Sequence, residues 1–271
     1  MRRLTRQFFS VLSLVCRLPV PSPREYDYGR TDFFLPLVGI LAAVVAWLGS
    51  EIGYLVVPDS PVAATLGALG FQYFAFNLFH LDGLLDSADA LFPVADKQRR
   101  LQILKDSRIG TYAFAVGLFV MAVKAFALGG SLARTRVKPV LQLALFAYPV
   151  VGRAASALVP LLAKPARVDG LGSRMRGFSP IAWAAGFLLA LTPFAVALLA
   201  AHHGIAGAPC GALCLAIFVA EALFSTIATG LGMAAVYCAK VGGFTGDALG
   251  AAVELGEAIF LVVVAASLTR L

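Results

Sequence analysis

The sequence predicts an all-α, polytopic membrane helix bundle of about seven transmembrane helices, with an N-terminal interfacial helix ahead of them. Three observations carry that prediction. The 271-residue chain is 60% hydrophobic and only 14% charged, against about 25% charged in ordinary soluble domains. Its mean hydropathy is +0.86. Its apolar residues fall in seven long runs, most near or above the roughly 20 residues that a helix needs to cross the hydrocarbon core. Little is left for a separate soluble domain, so residues 1–271 read as a single integral membrane domain whose active site must come from helix ends and loops.

Taken in order, residues 2–16 place Arg2, Arg3 and Arg6 ahead of the run Phe8-Phe9-Ser10-Val11-Leu12. A secretory signal peptide does not fit, because Arg17 and Pro19 follow at once without a small-residue cleavage site. A short basic amphipathic helix lying in the membrane interface does. Residues 17–23 then form an extended proline-rich connector, so 1–32 is an interfacial helix plus linker. Spans are predicted at 33–57, 62–80, 111–130, 138–162, 180–201, 209–238 and 250–268.

Orientation follows from Lys and Arg in short loops. With the N-terminus inside, the loops at 81–110, 163–179 and 239–249 all face the cytoplasm and carry Lys97, Arg99, Arg100, Lys105, Arg108, Lys164, Arg167, Arg174, Arg176 and Lys240. The opposite loops at 58–61 and 202–208 contain neither residue. Arg134, Arg136 and Lys138 object, since they would face outward. The net charge of +7 suits loops lying on anionic lipid and a phosphorylated substrate. With no aromatic and basic module present, nucleic acid is not an expected partner. Cys16, Cys210, Cys214 and Cys238 show no metal spacing and read as small hydrophobes in a reducing setting.

The cytoplasmic acidic and basic segment at 81–110 is where chemistry is expected. In the stretch His80 to Ala90, Asp82, Asp86 and Asp89 recur four and three residues apart, which puts them within a sector of roughly 60° on one helix face. Three acids side by side near a membrane are tolerable when cations sit between them, and hard oxygen ligands suit Mg²⁺, or Mn²⁺, rather than zinc. Downstream, Asp106 can complete that site while Lys105 and Arg108 hold phosphate oxygens. Solvated helix faces and mixed-charge loops are the plainer readings of these features. The acidic cluster outweighs them because Asp82, Asp86, Asp89, Asp96 and Asp106 are five of only 15 acids in the chain.

Further candidates are scattered. The loop Gly242-Gly243-Phe244-Thr245-Gly246-Asp247 can wrap a phosphate or a ribose, because glycines let backbone amides approach an anion and a helix begins just beyond. Asp247 stands where a Walker A loop needs Lys, so nucleotide hydrolysis is unsupported. Arg153 lies deep in an apolar run, either contacting a substrate phosphate or paired with Glu221, Glu254 or Glu257. Arg167, Asp169 and the glycines after it can meet substrate from the cytoplasmic side. His80 points about 160° away from Asp82 on a helix, so it suits substrate contact better than the same metal. Phe71, Tyr73, Phe74, Phe76 and Phe79 read as helix packing.

The segments HLDGLLDSADAL, KDSRIGTY and GGFTGDALGAAVELGE resemble the signature segments of the cobalamin synthase family, the adenosylcobinamide-GDP ribazoletransferases of the coenzyme B12 pathway. FFSVLSLVCRLPVP, FFLPLVGILAA and ARVDGLGS extend the likeness across nearly the whole chain. Ala90 stands where the family usually has Gly, a change that favours the helix and removes no ligand.

The resemblance implies a phosphotransfer at the bacterial inner membrane. α-Ribazole, or its 5′-phosphate, attacks the cobinamide-side phosphate of adenosylcobinamide-GDP and expels GMP, with Mg²⁺ as cofactor. Carboxylates can both bind the cations and accept the attacking hydroxyl's proton. Asp82, Asp86 and Asp106 are the expected ligands, with Asp89 as ligand or base. Substrate contacts are expected from His80, Lys105, Arg108, Arg153, Arg167, Gly243, Thr245, Gly246 and Asp247. Membrane lipid is the expected surroundings, and a homo-oligomer is compatible with the sequence. A lipid-headgroup transferase of the CDP-alcohol type would need a tighter Asp-Gly-x-x-Ala-Arg pattern, absent here because Ser87 and Ala88 follow Asp86. A secondary transporter would favour internal symmetry and broken helices, and neither is evident.

Overall fold

The computed structural model describes residues 2–135, 139–168, 171–175, 178–203 and 211–268. Arg136, Lys138, Asp169, Gly170, Arg176, Cys210 and residues 204–208 of the loop expected at 202–208 lie outside them. The described elements are α1 (Arg2–Val15), α2 (Thr31–Val56), α3 (Pro61–Gln72), α4 (Leu78–Leu91), α5 (Lys97–Ile103), α6 (Thr111–Thr135), α7 (Pro139–Leu145), α8 (Tyr148–Leu162), α9 (Leu171–Arg174), α10 (Pro180–His203), α11 (Gly211–Lys240) and α12 (Gly246–Ser267). Among the described residues no strand forms, and the one isolated bridge joins Pro165 to Phe244.

Seven helices among the described residues are long and apolar enough to cross a membrane: Thr31–Val56, Pro61–Leu91, Thr111–Thr135, Gln142–Leu162, Pro180–Ala200, Ala212–Lys240 and Gly246–Ser267. The chain is therefore the polytopic helical membrane protein that its composition predicts. The most apolar windows of the fourth and seventh spans are 83% and 72% buried, against 28% for the sixth. The α8 and α12 helices thus form the centre of the bundle, and α11 faces outward.

The second span departs from expectation. It runs on to Leu91 instead of ending near residue 80, so Asp82, Asp86 and Asp89 ride on the last turns of a membrane-length helix. Between α3 and α4 lies a single π-helical turn, Tyr73–Asn77, a wider coil that is often found at functional sites. Below it, Gly83 and Gly250 let α4 and α12 touch almost backbone to backbone. A Cβ on Gly83 would stand 2.9 Å from the Asp247 carbonyl oxygen and 3.1 Å from Gly250 Cα. Small residues permit this close approach between helices in lipid.

The π turn directs its polar side chains inward. Tyr73, Asn77 and the preceding Gln72 are buried together with Lys124 of α6, Arg153 of α8, and Glu254 and Glu257 of α12. Lys124 Nζ donates to Glu254 at 2.9 Å and to Glu257 at 2.6 Å. Arg153 Nη1 donates to Glu257 at 3.1 Å, and its Nη2 donates to Asn77 Oδ1 at 2.9 Å. Asn77 Nδ2 in turn donates to both Glu254 and Glu257 at 3.0 Å. Gln72 Nε2 donates to both Glu257 oxygens, and Tyr73 Oη to Glu254. Two cations and two anions balance, which is what makes four charges tolerable inside an apolar bundle.

The α1 helix is amphipathic as expected, and its apolar stripe is applied to the protein itself. Val11, Leu12 and Val15 are buried with Phe34, Leu35, Val38 and Phe76. Asp27 of the linker accepts from Gln7 at 3.1 Å and stands 3.5 and 3.6 Å from Arg3 and Arg6, which ties the linker back to the helix.

Candidate active site

Three chain segments converge where α4 ends and α12 begins. The first is α4, with Asp82 and Asp86. The second is the turn from α11 into α12. Tyr237 O receives the amides of Val241, Gly242 and Gly243 at 2.9, 2.8 and 3.3 Å, ending α11 tightly. The turn requires φ of +85° at Gly242 and +152° at Gly243, values that a side chain would strain. Thr245 then starts α12: its Oγ1 accepts from Ala248 N at 3.5 Å and donates to Asp247 Oδ2 at 3.0 Å. The third segment follows α8. Phe244 N donates to Lys164 O and Ala166 N donates to Phe244 O, each at 2.9 Å. This two-bond strap carries Arg167 to the same place, where its Nη2 donates to Leu101 O at 2.6 Å.

Two cavities result, of about 240 and 260 Å³. Asp82, Phe79, Arg167, Ser173, Thr245, Gly246 and Asp247 line the first. Asp82, Asp86, Lys105, Asp106 and Ser107 line the second. Asp82 and Leu104 belong to both, so Asp82 stands on the wall between a compartment with a guanidinium and one with an ammonium. Asp82, Asp89 and Asp247 all lie within electrostatic reach of Asp86.

The four acids expected to share a cation are divided. Asp82 and Asp86 line the second cavity from α4, and Asp106 lines it from the segment after α5. Asp106 is gripped by Arg108, whose Nε donates at 2.9 and 3.2 Å and whose Nη2 donates at 2.6 Å. Those hydrogen bonds hold the carboxyl down to about 2. Asp89 accepts from Gly110 N at 2.6 Å and Ala113 N at 2.9 Å, capping α6 from another helix. Gly110 leaves room for this cap, since a Cβ would lie 2.6 Å from the Asp89 carboxylate. Among the described residues, no three Asp, Glu, His or Cys side chains form a ready-made metal cluster. The oxygen donors facing the second cavity are nonetheless the carboxylates of Asp82, Asp86 and Asp106 and the hydroxyl of Ser107, the chemistry that suits a hard divalent cation.

Other expected contacts fall elsewhere. His80 is only 3% exposed and lines neither cavity; it packs at the helix crossing, where a Cβ on Gly250 would meet its carbonyl oxygen at 2.9 Å. It is buried in the bundle because α12 covers α4 there. Arg153 also lines neither cavity and is fully buried on Glu257 and Asn77, so of its two readings the ion pair is the one realised. Gly243 serves the turn: its missing Cβ makes room for the backbone at Ala166, 2.9 Å away. Phe79 of the aromatic series lines the first cavity instead of merely packing, as do Ser173 there and Ser107 in the second, neither of which stands out in the sequence. Lys124 carries the same signal as Arg153, a lone cation in an apolar run, which sequence reading passed over.

Fold and site together define an integral membrane protein with an acidic centre, flanked by cations, built at one end of its helix bundle. The model of the cobalamin-5-phosphate synthase family matches residues 7–265, and the chain belongs to that family. It is 34% identical over 266 residues to an adenosylcobinamide-GDP ribazoletransferase of Klebsiella pneumoniae subsp. pneumoniae, covering 96% of this chain and 99% of the relative. Relatives of the same name from Shigella boydii serotype 4 and Escherichia coli O157:H7 are 32% and 31% identical over 273 residues, with the same coverage. No solved structure matches the chain.

Proposed function

We propose that the protein is a membrane-embedded adenosylcobinamide-GDP ribazoletransferase. It joins adenosylcobinamide-GDP to α-ribazole, or to α-ribazole 5′-phosphate, giving adenosylcobalamin or its phosphate and releasing GMP. Family membership supports this reading, and the observation that carries it is the pair of cavities sharing Asp82. A transfer with two substrates needs two compartments meeting at one reacting centre.

In the step itself, the acceptor hydroxyl oxygen bonds to the cobinamide-side phosphorus as the bond from that phosphorus to the bridging oxygen of GMP breaks. The hydroxyl proton passes to a carboxylate, for which Asp82 at the shared wall and Asp86 in the second cavity are the candidates. Arg167 and Lys105 hold non-bridging phosphate oxygens from opposite sides, and the amides that open α12 add a partial positive field. Asp82 and Asp86, joined by Asp106 in the second cavity, would hold Mg²⁺ or Mn²⁺; that ion supplies charge neutralisation on the diphosphate. Basic loops at this end of the bundle support its facing the cytoplasm in a bacterial membrane.

The test is incubation of purified protein in detergent with adenosylcobinamide-GDP and α-ribazole, with and without Mg²⁺, followed by chromatography. GMP and a finished corrinoid are expected. Absence of both from folded protein overturns the proposal, and corrinoid uptake into liposomes without chemistry would favour a transporter.

A further inference from the structure

We infer that the buried four-charge network is a positioning device that sets the register of α4 against α12, with Asn77 as its positioning residue. The inference rests on the proposed reading of the cavities as the reaction site. The two walls of that site come from different helices: Asp82 and Asp86 from α4, and Asp247 from α12. At the Gly83–Gly250 crossing the contact is backbone on backbone, and the side-chain hydrogen bond there between the two helices, Ser87 Oγ to Asp247 O, is a long one at 3.3 Å. Shorter directional bonds set the register. Asn77, one residue before α4 begins, donates to Glu254 and Glu257, which lie seven and ten residues beyond Asp247 on α12. It also accepts from Arg153 of α8, so a single amide addresses two helices besides its own. Lys124 adds a fixed point from α6 by bridging the same two carboxylates.

A slide of α4 by one helical residue, about 1.5 Å, would break all of these bonds together and leave charges unpaired in an apolar medium. Alternative registers are therefore strongly disfavoured. The same slide would move Asp82 and Asp86 relative to Asp247 and Arg167. A misplacement of about 1 Å at a reacting centre costs on the order of 100-fold in rate.

The test compares the wild type with the double variant Arg153→Met/Glu257→Met, which removes one cation and one anion and keeps the core neutral and filled. Such replacements often preserve stability. Asn77→Leu, which keeps all four charges, is the second variant. Spin labels on cysteines placed at Phe92 and Val262, in a background lacking the native cysteines, report the slide along the helix axes by pulsed electron resonance. Both positions are exposed, near opposite ends of α4 and α12.

The expected result in folded variants is a shifted or broadened label distance. It should be accompanied by a fall in kcat on the order of 100-fold and a KM for the nucleotide substrate within about threefold, since Arg167 and the phosphate-binding turn are untouched. An unchanged distance in both variants overturns the inference, as does an altered distance with kcat within about threefold of wild type. Absence of turnover in the wild type would instead sink the proposed function, and the label distance alone would then decide the register.

Discussion

Gly83 and Gly250 face each other across the α4–α12 crossing with no side chain between them. A methyl group on Gly83 would come within 2.9 Å of the Asp247 carbonyl oxygen. Gly83→Ala should therefore push the helices apart, costing about 1–3 kcal/mol by overpacking. The loss in activity should exceed the loss in thermal stability, because the displaced backbone belongs to Asp247. Parallel melting and turnover measurements in detergent check both.

Asp82 and Asp86 should be indispensable in a way that Asp89 is not. Asp82→Asn and Asp86→Asn are expected to lower kcat by about 10²–10⁴-fold with the melting temperature little changed. Asp89→Ala removes the acceptor for Gly110 N and Ala113 N and should cost about 1 kcal/mol of stability, as loss of a helix cap does. Thermal melts of the three variants, alongside turnover, separate the roles.

Asp106 offers a pH test with a definite sign. Its folded pKa is about 2, depressed by the Arg108 guanidinium, whereas an unfolded Asp titrates near 3.9. The pairing is thus fully present above the unfolded value and lost only as pH falls toward 2. Any acid limb of the rate profile above about pH 4 must then belong to another group. Asp106→Asn should lower the profile without moving that limb, and a limb that disappears in this variant would contradict the assignment.

Arg167 is held in place by Leu101 O at 2.6 Å and lines the cavity with Asp82 and Asp247. If it grips a phosphate oxygen, Arg167→Ala forfeits a charged hydrogen bond of about 1.5–3 kcal/mol. The KM for the nucleotide substrate should then rise about 10- to 100-fold. Steady-state kinetics with each substrate varied in turn should place the effect on one substrate alone.

Much of this architecture was legible in the sequence. The seven spans follow from unbroken apolar length, and Asp82 and Asp86 from an acidic recurrence that only a helix face explains. The rest depended on partners far along the chain. Nothing near Asp89 announces that it caps a helix whose amide at Ala113 is 24 residues away. Arg153 could be flagged as an intramembrane cation, but choosing Glu257 among three acids required knowing which helices touch. The π turn at Tyr73–Asn77 has no local mark, since its wider coil is sustained by the carboxylates of α12. His80, expected to contact substrate, is buried at a crossing with α12 that spacing alone could not reveal.

The placement of charges among the spans also bears on how the chain is made. Lys124 and Arg153 enter the bilayer on α6 and α8, while both of their counter-ions arrive on α12, 130 and 133 residues after Lys124 and, for Glu257, 104 residues after Arg153. Until then each earlier helix holds an uncompensated cation at a depth where that is costly. During biosynthesis these segments should linger at the insertion machinery or its chaperones, and the bundle should lock only when α12 docks.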